Sequence, residues 1–322
     1  MLIAGDVGAT KTLIGLFSPE PGRPDLVEAR TFTTLEFVSL EGIVAAFLED
    51  LQLSSDAITA ATFGVAGPIV EQVAQLTNVP WRVSAGALAA YFTFPRVTLL
   101  NDLEAMAYSV PVLRPDELAF LQAGRPVATG NAALIAAGTG LGEALLHFVD
   151  GRFIPSPTEG GHADFAPRTP REIALLEHVL GWNGRADYER VLSGPGLANI
   201  HRFTHDRGCA VCGTTSGTLA DPSLVSQAAL DGSCPECVAA LDLFVSIYGA
   251  EAGNLALRCV ATAGVYLGGG IAPKILPALQ DGRFLEAFRS KAPMDAFAAL
   301  VPVAVILNER AGLLGAAVHA QG

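Results

Sequence analysis

The chain has 322 residues, 51% of them hydrophobic, enough for two domains that each bury a core. Its formal net charge of −12 excludes a nucleic-acid partner, which demands a basic face, and opposes adhesion to an anionic membrane. Mean hydropathy is +0.41, but the most apolar runs do not read as bilayer spans: Glu143 interrupts one, and glycines and Pro273 break up another. No basic region precedes the first apolar residues and Asp6 follows them at once, so a signal peptide is not expected and a soluble, cytoplasmic protein is.

Residues 2–17, "LIAGDVGATKTLIGLF", predict a strand, a tight glycine-bearing turn and a second, antiparallel strand. Gly5 and Gly8 open backbone torsions closed to other residues, while Asp6, Thr10 and Lys11 bring a carboxylate, a hydroxyl and an ammonium to the turn. Such a turn suits a magnesium-bound phosphate; the alternative is an ordinary hairpin with its polar residues in water. "SLEGIVAAFLEDL" (39–51) predicts an amphipathic helix with Ser39 as N-cap, and 58–70 and 96–102 predict strands. Asn101 and Asp102 stand where the latter strand ends, the usual place for catalytic groups in open α/β sheets. Asp102 is there either as a general base or as the cap of the helix that follows.

Residues 134–148, "LIAAGTGLGEALLHF", repeat the opening: Leu2 aligns with Leu134 and Gly8 with Gly140, which predicts a duplicated hairpin. Two such turns offer N–H groups and hydroxyls to one phosphate chain, and neither a Walker A sequence nor a Rossmann fingerprint is present. "PTEGGHADFAP" (157–167) sets Glu159 and His162 around two glycines, as ligand residues or as parts of a tight loop. "ADYERVLSGPG" adds Glu189, by default a solvated carboxylate. Sugar hydroxyls need side chains of this type, which each accept or donate more than one hydrogen bond. Helical segments over 171–200 and 241–261, and a strand, glycine turn and helix over 264–276, complete an alternating α/β pattern.

Four of the five cysteines form two pairs, Cys209-Ala-Val-Cys212 and Cys234-Pro-Glu-Cys237; Cys259 stands apart. Two such knuckles are a common tetrahedral arrangement and predict a structural Zn²⁺ site without a catalytic role. The alternatives are cysteines that merely pack at a helix start, His201 and His205 as competing ligands or surface residues, and disulfides, which a reducing cytoplasm disfavours.

"GDVGATK", "TNVPW", "NDLEAMA", "GTGLG", "EGGHADFAP", "ERVLSGPGL", "YLGGGIAPK" and "GLLGAA" occur in that order. With them the chain resembles the bacterial glucokinases of the hexokinase–actin–chaperone ATPase superfamily over essentially its whole length. The resemblance implies an α/β, two-domain actin-like ATPase (ribonuclease H-like) fold with an interdomain cleft. Residues 1–112 would form the small domain, completed by a C-terminal helix over 303–322, and 113–302 the large one.

The resemblance also implies Asp102 as catalytic base, and Asn101, Asp102, Glu159, His162 and Glu189 as glucose ligands. It puts Gly5, Asp6, Val7, Gly8, Ala9 and Thr10 on one ATP phosphate hairpin and Gly138, Thr139 and Gly140 on the other. Gly268, Gly269 and Gly270 fall on the turn beneath adenosine. Asp6 would hold Mg²⁺ through water. The implied activity is phosphorylation of D-glucose at O6 by ATP, in a cytoplasmic homodimer at the entry to glycolysis. A kinase for another hexose, or a sugar-sensing relative without catalysis, are the alternatives.

Two residues depart from the family pattern: Ala9 replaces a usual glycine, and Lys11 a usual asparagine. Ala9 implies a negative φ or a slightly altered turn. Lys11 resembles the sister family of repressor-linked sugar kinases, whose compact cysteine-rich motif is missing here.

Overall fold

Strand β1 (Leu2–Val7) is apolar because both of its faces are covered. In the computed structural model, which describes all residues except 77–78, 206, 207 and 216, Ile3 and Val7 enter one hydrophobic cluster and Leu2 and Ala4 another. That is the period-two alternation of a strand buried on both sides. The chain divides into two units: Met1–Arg114 with Phe153–Pro157 and Asn308–Gly322, and Pro115–Arg152 with Thr158–Leu307.

In the first unit, β1 pairs antiparallel with β2 (Lys11–Ser18), and β2 with β3 (Asp25–Thr33). On its other edge β1 runs parallel to β4 (Ala60–Val65), and β4 to β8 (Val97–Asn101), giving the order β3-β2-β1-β4-β8. A small antiparallel sheet of β5 (Ile69–Val70), β6 (Val73–Gln75) and β7 (Arg82–Ser84) lies between β4 and β8 in sequence. Helix α1 (Leu40–Asp50) begins where predicted: the Ser39 hydroxyl accepts from the Gly42 N–H. It covers one face of the sheet with Ile43 and Phe47, joined there by Leu88 of α2 (Ala85–Phe92). The other face is covered by Leu313, Leu314, Ala316 and Ala317 of the C-terminal helix (Ala311–Gln321) and by Ala105 of α3 (Asp102–Ser109).

The second unit repeats this plan. Its sheet holds β9 (Leu118–Gln122), β10 (Ala132–Ala137), β11 (Leu141–Val149), β12 (Arg152–Thr158, of which Phe153–Pro157 is counted with the first unit), β13 (Gly264–Gly268) and β14 (Val303–Ile306), in the order β12-β11-β10-β13-β14-β9. As in the first sheet, β10 pairs antiparallel with β11 and parallel with β13, which runs parallel to β14. Its helices include α4 (Pro170–Asn183), α5 (Gly194–Thr204), α6 (Pro222–Leu230) and the 25-residue α7 (Pro235–Cys259). Tyr248 of α7 is fully buried, and its hydroxyl donates to the Ile135 carbonyl of β10.

Two expectations are corrected. The duplication is real as topology, but β1 ends at Val7 and β10 at Ala137, an offset of 137 − 7 = 130 and not the 132 of the matching letters, so Ala132 rather than Leu134 holds the place of Leu2; the second turn, one residue shorter, displaces only the returning strand. Gly138, not Gly140, therefore matches Gly8. The C-terminal helix also starts only at Ala311, since 303–306 form β14 of the second sheet.

The C-terminal helix meets α3 without space for a side chain. A Cβ on Gly315 would stand 1.7 Å from the Ala105 carbonyl oxygen. Gly315→Ala is expected to destabilise the protein by about 2–4 kcal/mol, as overpacking against backbone that cannot yield. Its urea midpoint, compared with that of Gly322→Ala, which meets nothing within 4 Å, checks this.

Candidate functional site

In the first unit, the turn between β1 and β2 is closed by the Gly8 N–H donating to the Lys11 carbonyl (3.1 Å). Thr34 secures it: its hydroxyl donates to the Gly8 carbonyl (2.8 Å), and its N–H to that of Thr10 (3.0 Å). Neither Gly5 nor Gly8 takes a left-handed backbone, so the expected reason for them is replaced by another. A Cβ at Gly5 would lie 2.4 Å from the Phe63 ring, and one at Gly8 2.8 Å from the Lys11 oxygen. Ala9 likewise has no positive φ, which is how the turn accepts alanine there. Thr10 and Lys11 are exposed at its tip.

Asp6 stands near the C-terminal end of β1 and Asp102 directly after β8, on strands joined through β4: Asp6 is in register with Gly64, and Val65 with Asn101. Burial, and next the like charge of Asp102, push the Asp6 carboxyl up to about 6. Gly312, in the first turn of the C-terminal helix, makes room for it; a Cβ there would lie 3.1 Å from Asp6 Oδ2. Asn101 is the N-cap of α3, its side-chain oxygen accepting from the N–H groups of Leu103 (3.0 Å) and Glu104 (3.4 Å). Asp102 is thus not the cap. It occupies the first helical position with its side chain exposed, and its Oδ1 accepts from the Leu103 N–H (2.8 Å).

In the second unit the remaining predicted residues gather around the turn between β10 and β11. The Gly138 N–H donates to the Gly140 carbonyl (2.9 Å), and the Gly194 N–H at the start of α5 donates to the Gly138 carbonyl (2.8 Å). Glu189 is fixed at both ends: its Oε2 accepts from the Leu141 N–H (3.0 Å), and its own N–H donates to the Gly161 carbonyl (2.8 Å). It is therefore not a solvated helix carboxylate. The loop Glu159–His162 is pressed against the same hairpin, where a Cβ on Gly161 would come within 2.1 Å of the Leu141 carbonyl oxygen. Glu159 and His162 lie on this loop with exposed side chains. Thr139 is exposed at the turn tip. Gly269, at φ +81°, also packs on this hairpin: a Cβ would meet the Ala137 carbonyl oxygen at 2.3 Å. Within this unit the β10–β11 turn, the 159–162 loop, Glu189 and the glycine turn after β13 thus form one cluster, the last joined by the Ile271 N–H donating to the Ala137 carbonyl (3.2 Å).

Two groups escaped the sequence analysis. Asp187 is buried, with one carboxylate oxygen 3.9 Å from His162 Nδ1 and 3.7 Å from Arg190 Nε, which places a carboxylate beside the histidine. Its only sequence signal is its place two residues before Glu189. Glu143 was read merely as a break in an apolar run. It is 1% exposed beneath the sugar loop, so close that a Cβ on Gly160 would touch its Oε2 at 2.1 Å. Burial and then the charge of Glu251 push Glu143 up to about 7, against Arg258, whose Nη1 lies 3.6 Å from it and 2.6 Å from Glu251. Of the motif "TNVPW", residues 77 and 78 lie outside the described residues. The four paired cysteines gather elsewhere in the second unit, and all five cysteines are free thiols.

Comparison with known proteins gives one family. A family model described as Glucokinase matches residues 3–322. A curated glucokinase from Nostoc sp. is 37% identical, with 99% of this chain and 98% of that protein covered. The crystal structure of a glucokinase from an Antarctic psychrotroph is 30% identical with a TM-score of 0.88, covering 99% of this chain and 98% of that one. A ROK-family glucokinase from Streptomyces griseus, solved with glucose and AMPPNP, shares the fold at 23% identity and a TM-score of 0.65, over 100% and 99% of the two chains.

The Asp6 shift has a consequence for stability. The folded chain holds its proton up to about pH 6, whereas an unfolded aspartate loses it near 3.8. Protonation therefore favours folding, and this contribution is lost as pH rises from about 4 to about 6. Asp6→Asn is expected to remove that slope and, without ligands, to stabilise the protein at pH 7 by about 1 kcal/mol. Denaturant midpoints of both proteins between pH 4 and 8 check it.

Proposed function

The chain belongs to the glucokinase family and is a glucose-phosphorylating kinase; on that premise we propose that Asp102 is the base that activates the 6-hydroxyl of D-glucose towards the γ-phosphate of ATP. The observation that carries this is the division of labour at the end of β8. Asn101 caps α3, and the Asp102 carboxylate at the first helical position is exposed, where a substrate hydroxyl can reach it. One hydrogen bond from the Leu103 N–H orients Asp102, and a carboxylate so held accepts a proton without reorganising.

The other roles follow from the geometry of each unit. Glu159, His162 and Glu189 would hold glucose hydroxyls together with Asn101, and Asp187 would keep His162 in place. Glu189 has one oxygen committed to the Leu141 N–H, which fixes where the other points. Val7 ends β1 and brings in the phosphate turn with Gly8, Ala9 and Thr10; Gly138, Thr139 and Gly140 supply the second. Gly268, Gly269 and Gly270 would carry adenosine.

The residues also fit a divalent cation. Asp6 is held well above the usual carboxylate range by burial and by a second carboxylate, strain that a cation relieves. Asp6 would hold Mg²⁺, whose chemistry is to neutralise charge on the transferring phosphoryl group. The repeated order of three antiparallel and two further parallel strands supports reading the units as halves of an actin-like ATPase. The same reading extends to a cytoplasmic homodimer that feeds glucose 6-phosphate into glycolysis; it rests on the family resemblance.

ADP release by the purified protein across a panel of hexoses tests the substrate: glucose is expected to give the highest kcat/KM, and a better hexose would overturn the assignment. Asp102→Asn keeps the shape and the Leu103 bond but removes the base. A positioned base is worth roughly 10²–10⁴-fold, so kcat is expected to fall by that factor while glucose KM moves little. A near-normal kcat in the variant would remove Asp102 from the role.

A further inference from the structure

The segment between α5 and α6 has little core of its own, yet all four paired cysteines within and beyond it are buried, between 0% and 7% exposed. They converge. Cys209 Sγ lies 3.8 Å from Cys234 Sγ and 3.9 Å from Cys237 Sγ, and Cys212 Sγ lies 3.6 Å from Cys237 Sγ. A tetrahedral zinc ion with Zn–S bonds of about 2.3 Å sets its sulfurs about 3.8 Å apart. None of these pairs is at the length of a disulfide, about 2.05 Å. We propose that Cys209, Cys212, Cys234 and Cys237 hold one structural zinc ion.

Each pair is built on a backbone that suits a thiolate. Cys209 and Cys212 flank a tight turn in which the Cys212 N–H points at Cys209 Sγ (3.4 Å), and Gly213, at φ +64°, takes the chain away. The turn is closed by mutual backbone bonds between Cys209 and Thr214. Cys234 is the N-cap of α7 and Cys237 lies in its first turn, where the helix dipole and open N–H groups favour negative sulfur.

A second observation, independent of the sulfurs, points to the same ligand. His201 is 1% exposed, and neither ring nitrogen has a hydrogen-bond partner among the described residues. One of those nitrogens lies within 4.8 Å of the sulfurs of Cys209, Cys212 and Cys237. His205 stacks on His201 at 3.8 Å and puts Nε2 3.4 Å from Cys234 Sγ and 3.9 Å from Cys237 Sγ. Thiols are poor acceptors, whereas metal-bound thiolates are good ones, so the ion turns the sulfurs into the partners that the His201 imidazole lacks. Each histidine stands within ligand reach of three of the sulfurs, His201 with Cys209, Cys212 and Cys237 and His205 with Cys209, Cys234 and Cys237; the four cysteines take the ion and the imidazoles orient them.

The ion would staple the segment between α5 and α6 to the start of α7, the helix that carries Tyr248 and Glu251 into the second unit's core. The test is metal analysis of the full chain purified without chelator. About one zinc per chain is expected, with four thiols protected from titration until the metal is removed. Cys212→Ser and Cys234→Ser are each expected to lower the zinc content at least tenfold. His201→Ala, His205→Ala and Cys259→Ser should retain it. Cobalt substituted for zinc should show the absorption of a tetrahedral four-thiolate site. Metal-free wild-type protein with freely titrating thiols, a disulfide within the set, iron in place of zinc, or two metals per chain would each overturn the proposal. So would loss of zinc on replacing His201 while Cys234→Ser keeps it.

Discussion

The second unit's site depends on the two hydrogen bonds of Glu189. Its N–H holds the Gly161 carbonyl of the sugar loop, and its carboxylate holds the Leu141 N–H at the foot of the phosphate turn. The Thr158 hydroxyl, donating to the Glu143 carbonyl (2.9 Å), already ties the start of this loop to β11; a residue bonded to both loop and turn fixes their separation further. The glycines follow from that constraint. With the loop held so near the hairpin, positions 160, 161 and 140 have no space for a Cβ, since one would run into Glu143, Leu141 or Glu189 itself. Loss of the carboxylate would leave the Leu141 N–H unmatched while the backbone bond to Gly161 stays, so the turn and the loop would no longer be held to one residue, and a displacement of about 1 Å is enough to cost a positioned reaction dearly.

A kinase with a formal charge of −12 faces repulsion from an anionic phosphoryl donor at long range. On the proposed reading its turns would answer this with backbone N–H groups rather than with lysine clusters, and such groups carry no counter-charge to be desolvated. The acids that do stand near the site are partly discharged by their surroundings. Asp6 titrates near 6 and Glu143 near 7, each because burial disfavours its anion and a second carboxylate stands beside it. Glu143 can thus lie beneath the sugar loop without placing a full charge in an apolar interior.

Much of this was legible in the sequence, since strand–turn–strand patterns, caps and glycine turns are local. Ser39 capped its helix as predicted, and both hairpins formed. Register was not legible: matching letters aligned Leu134 with Leu2, but similar apolar letters do not mark where a strand meets its turn, and that point lies two residues earlier in the second copy than the letters suggest. Nor was the office of a polar residue. Asn101 and Asp102 are adjacent and both able to cap, and only the geometry of α3 assigns that duty to asparagine. Glu143 and Asp187 were invisible as site residues because their partners, Glu251, Arg258 and His162, are remote in sequence or reached only once the loop folds.

The C-terminal helix lies against β1, β4 and α3, although the whole second unit separates it from them in sequence. During synthesis, then, Leu2, Ala4, Ala60 and Leu100 present an uncovered apolar face until Ala311–Gln321 has been made. A sheet made before the second unit is covered only after it. The second unit, whose strands other than β12 and whose covering helices are contiguous apart from residues 153–157, can close on itself while the first still waits for its lid. The nascent first unit is in that interval the natural target for a chaperone that recognises exposed aliphatic surface.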